Sequence, residues 1–168
     1  MFEFAEWLGT TPFSVAIQST LWVTPLLQSI HILMIGVVFT IVLVIALRVL
    51  GRMRADEPLA EIYGRFAPWF WSALVVMFLT GLVLSIAEPA REAHALSFWI
   101  KMALIVVGVL SAVIFGRTVR AAAAAGGQMY SGRARAVAVV TVAMWLFIIF
   151  LGRAIAYDVE VWGSWHLG

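Results

Sequence analysis

The sequence contains no cysteine, and only 12% of its 168 residues are charged. The absence of cysteine excludes disulfide frameworks, thiolate metal sites and cysteine nucleophiles. Soluble domains carry about 25% charged residues, and a chain of this size has too much surface to cover with apolar side chains. A soluble globule, a disordered tail and a nucleic-acid binder are therefore excluded, and the length predicts a single domain over residues 1–168.

Hydrophobic residues make up 64% of the chain and gather in long runs without charge, such as Trp7–Leu47. A helix needs about 20 apolar residues to cross a bilayer, and these runs are too long for the strands of a barrel. The pattern therefore predicts an all-α integral membrane protein in contact with the lipid bilayer. We expect an up-down-up-down four-helix bundle with helices near 21–47, 66–87, 97–116 and 136–157.

Most of the arginines lie in the first and third connections between the predicted helices. By the positive-inside rule these connections are cytoplasmic. We therefore expect a bacterial cytoplasmic (inner) membrane protein with both termini outside, in the periplasm. The arginines concerned are Arg48, Arg52, Arg54, Arg65, Arg117, Arg120, Arg133 and Arg135.

The first residues form a separate region, predicted to be a short N-terminal interfacial segment over 1–19. Thr11 and Pro12 are typical of a helix N-cap and first helical residue. A continuous helix from Pro12 to Leu47 would be about 54 Å long, which exceeds one bilayer. We therefore expect Pro25 to kink the chain or to restart the helix.

Three side chains that are or can be cationic fall in one layer of the predicted bundle: His31, Lys101 and Arg153. Each lies about 24–27 Å along its helix from an arginine of the cytoplasmic side, as does Gly81. Ionisable residues within a membrane are costly, which makes this layer the candidate functional site. Each residue also has a possible structural role without function. The histidine could be a hydrogen-bonded packing residue and the lysine could snorkel to the interface. Arg153 could be an interfacial anchor or form an ion pair with Asp158 or Glu160.

The first spanning helix also carries a polar stripe. Such a stripe is expected to face protein or a water-filled cavity. Two more histidines, His94 and His166, belong to the outer half, where solvated loop residues are the default interpretation. The stripe consists of Thr20, Thr24, Gln28 and His31.

Short motifs resemble those of an uncharacterised bacterial four-helix membrane family. They are Pro25-Leu-Leu-Gln-Ser-Ile-His31-Ile-Leu-Met-Ile-Gly36, Thr80-Gly81-Leu-Val-Leu and Ser97-Phe-Trp-Ile-Lys101. The arrangement is similar to that of the copper-resistance D (CopD) membrane proteins and the HemJ-type protoporphyrinogen oxidases, which bind b-type haem. The resemblance covers roughly residues 20–116 and implies that His31 and Lys101 form a cofactor-site pair.

The layer and the resemblance together predict a b-type haem protein with a redox or electron-transfer role near the outer face. His31 is the expected axial ligand, with His94, a methionine or Lys101 as the second, while Lys101 and Arg153 face the propionates. With Gln28 as a further donor, a quinone headgroup also fits. Enzymatic activity stays open, and porphyrinogen oxidation rests on the resemblance alone.

Two other function classes remain open. One is a non-enzymatic accessory subunit that packs into a larger membrane complex or a homo-oligomer. The other is the handling of copper or another metal, with His31 as one ligand and His94 or His166 as the other.

Overall fold

The computed structural model describes residues 2–54, 56–125 and 132–163, and within these ranges the chain is helical, with short connections and no strand. The prediction of an all-α protein is confirmed for this part of the chain. The elements are α1 (Phe2–Gly9), α2 (Pro12–Ser19), α3 (Val23–Val49), α4 (Leu59–Ala87), α5 (Pro89–His94), α6 (Leu96–Ala124), α7 (Gly132–Ala154), a 3₁₀ turn (Ile155–Tyr157) and α8 (Asp158–Trp162).

Four segments are long and apolar enough to cross a membrane, with mean hydropathies between 2.2 and 2.9. Their number and order agree with the sequence expectation, and the chain is a transmembrane helical protein. They are α3, α4, α6 and the continuous helical segment Gly132–Trp162.

The long helices extend beyond the charge-free runs from which they were predicted. The helix α4 begins at Leu59 rather than near 66, and α6 ends at Ala124 rather than near 116. A helix continues past the apolar stretch when its polar residues reach water, so a charge-free run marks the membrane-crossing part and not the helix. Gly126 and Gly127, which follow α6 in the sequence, lie outside the described residues.

The N-terminal segment forms two short helices before the first span. Thr11 is the N-cap of α2 as predicted, since its hydroxyl accepts a hydrogen bond from the Ser14 backbone N–H at 3.4 Å. The Ser14 hydroxyl in turn donates to the Ile86 carbonyl at 2.7 Å, which joins α2 to the last turn of α4. The chain restarts as a helix at Val23, so Pro25 lies in the first turn, where its missing N–H is tolerated.

The helix α3 packs against both α4 and α7, and α6 packs mainly against α7. These four helices enclose an apolar core, and a second, smaller apolar cluster lies where α3 ends and α4 begins. We call the region of this smaller cluster, with Arg48, Arg65 and Arg120, the arginine end. The opposite region, with His31, Thr80 and Lys101, is the histidine end. The core consists of Val38, Ile41, Val42, Phe70, Ala73, Leu74, Met77, Trp145 and Ile148, and the smaller cluster of Ala46, Val49, Leu59, Val119 and Ala138.

The C-terminal segment closes the histidine end through a remote helix cap. The Asp158 carboxylate accepts hydrogen bonds from the backbone N–H groups of Leu96 and Ser97, both at 2.9 Å. These are free donors at the start of α6, and a carboxylate there also complements the helix dipole. The Trp162 indole N–H donates to the Ser97 hydroxyl at 2.8 Å and strengthens the same junction.

Candidate functional site at the histidine end

His31 lies on the core-facing side of α3, in register with the buried Val38 and Val42. Its Nδ1 is 2.8 Å from the hydroxyl oxygen of Thr80 on α4. The imidazole is half-buried between the two helices. The expectation that this ring faces protein rather than acyl chains is confirmed.

The surroundings of Thr80 favour a proton on Nδ1 of His31. The Thr80 hydroxyl lies 2.8 Å from the Val76 carbonyl oxygen and 3.1 Å from that of Met77. Carbonyls only accept, so the arrangement that satisfies one of them has the hydroxyl donating to it and the Thr80 oxygen accepting from Nδ1–H of His31. A neutral imidazole then carries its lone pair on Nε2, the form in which histidine binds metals.

Gly81 provides the space into which the ring fits. A Cβ at residue 81 would lie 3.2 Å from Cε1 of His31 and 3.8 Å from its Nδ1. A larger residue would require the imidazole to shift by a few tenths of an ångström. The sequence analysis predicted His31 and Gly81 at the same depth in the bundle, and this contact confirms that prediction.

Lys101 approaches the same region from α6 and is also half-buried. Its ammonium lies 5.1 Å from the centre of the Phe98 ring, and its Cδ lies 3.9 Å from the position of a Cβ on Gly152 of α7. The charge of Lys101 lies within electrostatic range of His31, and that of Glu92 within range of Lys101. Among the described contacts none joins His31 to Lys101, so their pairing at a cofactor site stays a prediction.

Glu92 is the residue of this site that the sequence did not single out. It lies on α5 and accepts a hydrogen bond from the Ser85 hydroxyl of α4. Its position in a short polar connection made it indistinguishable from a solvated loop acid. Only the fold of α5 against the end of α4 brings this carboxylate within electrostatic range of Lys101.

The remaining predicted residues lie elsewhere. Gln28 is exposed, so of the two surroundings expected for the polar stripe, protein or water, packing against protein does not apply to this residue. Arg153 is exposed too, with its guanidinium 5.3 Å from the Tyr157 ring centre and 3.4 Å from its hydroxyl. An ion pair of Arg153 with Asp158 was one alternative, and it is wrong because Asp158 instead caps α6.

His94 ends α5, where its Nδ1 lies 2.7 Å from the Ala90 carbonyl and its ring stacks on Phe2 at 4.5 Å. This fixes His94 on α1 and α5, and its role as a second ligand stays a prediction. His166 lies outside the described residues.

Within the ranges that the structure describes, no group of three or more His, Cys, Asp or Glu side chains could hold a metal ion. A metal cage built entirely by protein needs about four such ligands. A haem needs only one or two axial ligands, because the porphyrin supplies the other four.

A comparison with protein families assigns residues 2–158 to a family of unknown function, DUF6644. The chain belongs to this family. The matched range includes His31, Thr80, Glu92, Lys101 and Asp158, so the whole histidine end lies within it. No curated protein and no solved structure matches the chain.

Proposed function

We propose that this DUF6644 protein binds b-type haem at the histidine end, with Nε2 of His31 as an axial ligand, and that it transfers electrons near the outer face of the membrane. The observation that carries the proposal is the hydrogen bond from Nδ1 of His31 to Thr80. Ligating histidines usually donate their second ring N–H to a fixed acceptor, which sets the tautomer and raises the basicity of the ligand.

The donor set fits such a group on three grounds. The imidazole has a fixed tautomer, the positive charge of Lys101 is available for a propionate, and the core below, with Met77 and Trp145, is buried and apolar. A bound haem would supply a one-electron couple at its iron. The protein would position it through His31, while Glu92 holds Lys101 by electrostatic attraction. The second axial ligand stays open among His94, a methionine and Lys101.

The orientation in the membrane is part of the same proposal. The contacts between α3, α4, α6 and α7 are those expected of an up-down-up-down four-helix bundle, and the arginine end belongs in the cytoplasm. Both termini and the histidine end then face the periplasm. The absence of cysteine allows a direct test with Arg91→Cys and Arg52→Cys. An impermeant maleimide should label residue 91 in intact cells and residue 52 only after lysis, and the reverse result would overturn the orientation.

The haem itself is tested by the absorption spectrum of detergent-purified protein, oxidised and then reduced with dithionite. We expect a Soret band that shifts on reduction, and its loss by more than about tenfold in His31→Ala. Ile32→Ala is the matched control, because Ile32 is the next residue of α3 and its side chain is 66% exposed. Wild-type protein without a Soret band, or full haem content in His31→Ala, would contradict the proposal.

A quinone headgroup is the second candidate occupant. The ammonium of Lys101 would donate a hydrogen bond to a quinone carbonyl, and Nε2 of His31 would accept one from the hydroxyl of the reduced quinol, beside an apolar interior. Organic extraction of the same purified sample distinguishes the two groups. Stoichiometric quinone without haem, lost in Lys101→Met but retained in Ile32→Ala, would favour this alternative.

A further inference from the structure

A groove of about 450 Å³ lies between α4 and α6 at the arginine end, far from the residues of the proposed haem site. This volume falls within the roughly 300–1,000 Å³ range of small-molecule sites. Its walls are mostly small and apolar, with two aromatic rings and one cation. They are formed by Ala60, Tyr63, Gly64, Ala67, Pro68, Trp71, Val119, Arg120 and Ala123.

Tyr63 explains why the groove exists. A Cβ on Gly116 of α6 would overlap the Tyr63 hydroxyl and lie 2.7 Å from its Cζ, so the ring reaches from α4 to the backbone of α6. The ring also packs edge-on against Phe115 at 6.0 Å. The two helices are thus held together through Tyr63, and the small residues beside it leave the space open.

Arg120 lies at this groove, and no carboxylate of the described residues pairs with it. Its guanidinium is 6.0 Å from the Tyr63 ring centre, its side chain is exposed, and it forms no ion pair within the described residues. Arg65 of α4 differs, since it forms an ion pair at 3.3 Å with Glu57, which also pairs with Arg54. Glu61, in the first turn of α4, is exposed and reaches no arginine by an ion pair.

We infer that this groove binds one anionic phospholipid, with the phosphate at Arg120 and an acyl chain along Ala67, Pro68 and Trp71. The groove runs along two membrane-spanning helices, so its apolar part faces acyl chains, and the unpaired guanidinium lies where headgroups begin. A phosphate matches the forked donors of arginine, and basic pockets between spanning helices recognise anionic headgroups. The groove would bind this lipid in either orientation of the chain in the membrane, with or without a bound haem.

Native mass spectrometry of the full chain, released from nanodiscs of equimolar phosphatidylglycerol and phosphatidylethanolamine, tests the inference. We expect one retained phosphatidylglycerol, with retention about fivefold lower in Arg120→Gln. Arg117→Gln is the matched control, because Arg117 lies at the same end of α6 and carries the same charge but does not line the groove. Gly64→Leu fills the groove without changing the charge and should also abolish retention, while Gly64→Ala, which meets nothing within 4 Å, should fold normally.

Equal loss in Arg117→Gln and Arg120→Gln would overturn the site, because it would mean that only the general surface charge holds the lipid. Retention of phosphatidylethanolamine as strongly as phosphatidylglycerol would overturn the anionic specificity. Full displacement by inorganic phosphate would show that free phosphate and not a lipid is bound. A dimeric mass without lipid would show that a second copy of the chain covers the groove.

Discussion

The two ends of this molecule are held together by different forces. At the histidine end, helices are joined by directional polar contacts: His31 to Thr80, Ser85 to Glu92, and Asp158 to the first N–H groups of α6. At the arginine end, buried apolar residues such as Val49 join the helices and Tyr63 rests on the backbone at Gly116, while the described polar contacts of Arg48 and Arg65 go to Glu57 in the connection between α3 and α4.

This difference indicates where function and stability lie. Polar contacts within a membrane are expensive unless they are all satisfied, and they tend to mark cofactor or substrate sites. Apolar packing stabilises without adding chemistry. We therefore expect substitutions in the buried packing of the arginine end to change mainly the free energy of unfolding, and substitutions at the histidine end to change cofactor content as well.

The largest effect should come from deep packing. Ile62 near the start of α4 is fully buried, so Ile62→Ala removes contacts on all sides and should lower the free energy of unfolding by about 2–5 kcal/mol. Denaturant titration in detergent micelles, followed by circular dichroism, measures it. Val75→Ala is the control, because Val75 is 58% exposed and its loss should cost little. Haem content should remain unchanged, and its selective loss would contradict the division between the ends.

The next effect concerns the close approach of α4 and α6. In Gly116→Ala the new methyl group meets Tyr63, which must leave its place, and we expect a destabilisation of about 1–3 kcal/mol by the same titration. When Gly116→Ala is added to Tyr63→Ala, it should hardly change the free energy of unfolding further, since the side chain that the new methyl group would meet is absent. Additive effects of the two changes would show that Tyr63 does not mediate this contact.

The remote cap should have a moderate effect at the opposite end. Asp158→Ala leaves the N–H groups of Leu96 and Ser97 without their acceptor and should cost about 0.5–2 kcal/mol of stability. Glu160→Ala removes an equal charge from the same short helix, but its side chain is exposed and it should be near neutral. Equal effects of the two variants would attribute the loss to net charge rather than to the cap.

The smallest effect on stability belongs to the candidate site itself. Thr80→Val keeps the shape of the side chain but removes the acceptor for Nδ1–H of His31, which should cost about 0.5–1.5 kcal/mol. The diagnostic readout is the spectrum of the bound haem, which should shift or weaken because the ligand loses its fixed tautomer. Thr118→Val, on the exposed face of α6, is the control. An unchanged spectrum in Thr80→Val would remove the main support for His31 as a ligand.

The site was only partly predictable from the sequence. The depth of His31 and Lys101 followed from helical rise and distance to the arginines, because a spanning helix converts residue number into depth. Gln28 is exposed rather than packed against protein, since a polar stripe spans a wide arc of the helix and only packing decides which part of that arc is covered. Glu92 was missed and Asp158 was considered only as a partner of Arg153, because the groups with which they interact, Lys101 and the start of α6, lie on another helix.

By itself the sequence determined the membrane class, the number of spanning helices and the level of the polar layer, because hydropathy, length and charge act along a single helix. The tertiary structure decided which polar groups meet. Contacts such as His31 with Thr80 and Gly81, or Asp158 with Leu96 and Ser97, depend on the rotation and spacing of neighbouring helices. Those are set by close packing between side chains distant in the chain, which no local pattern encodes.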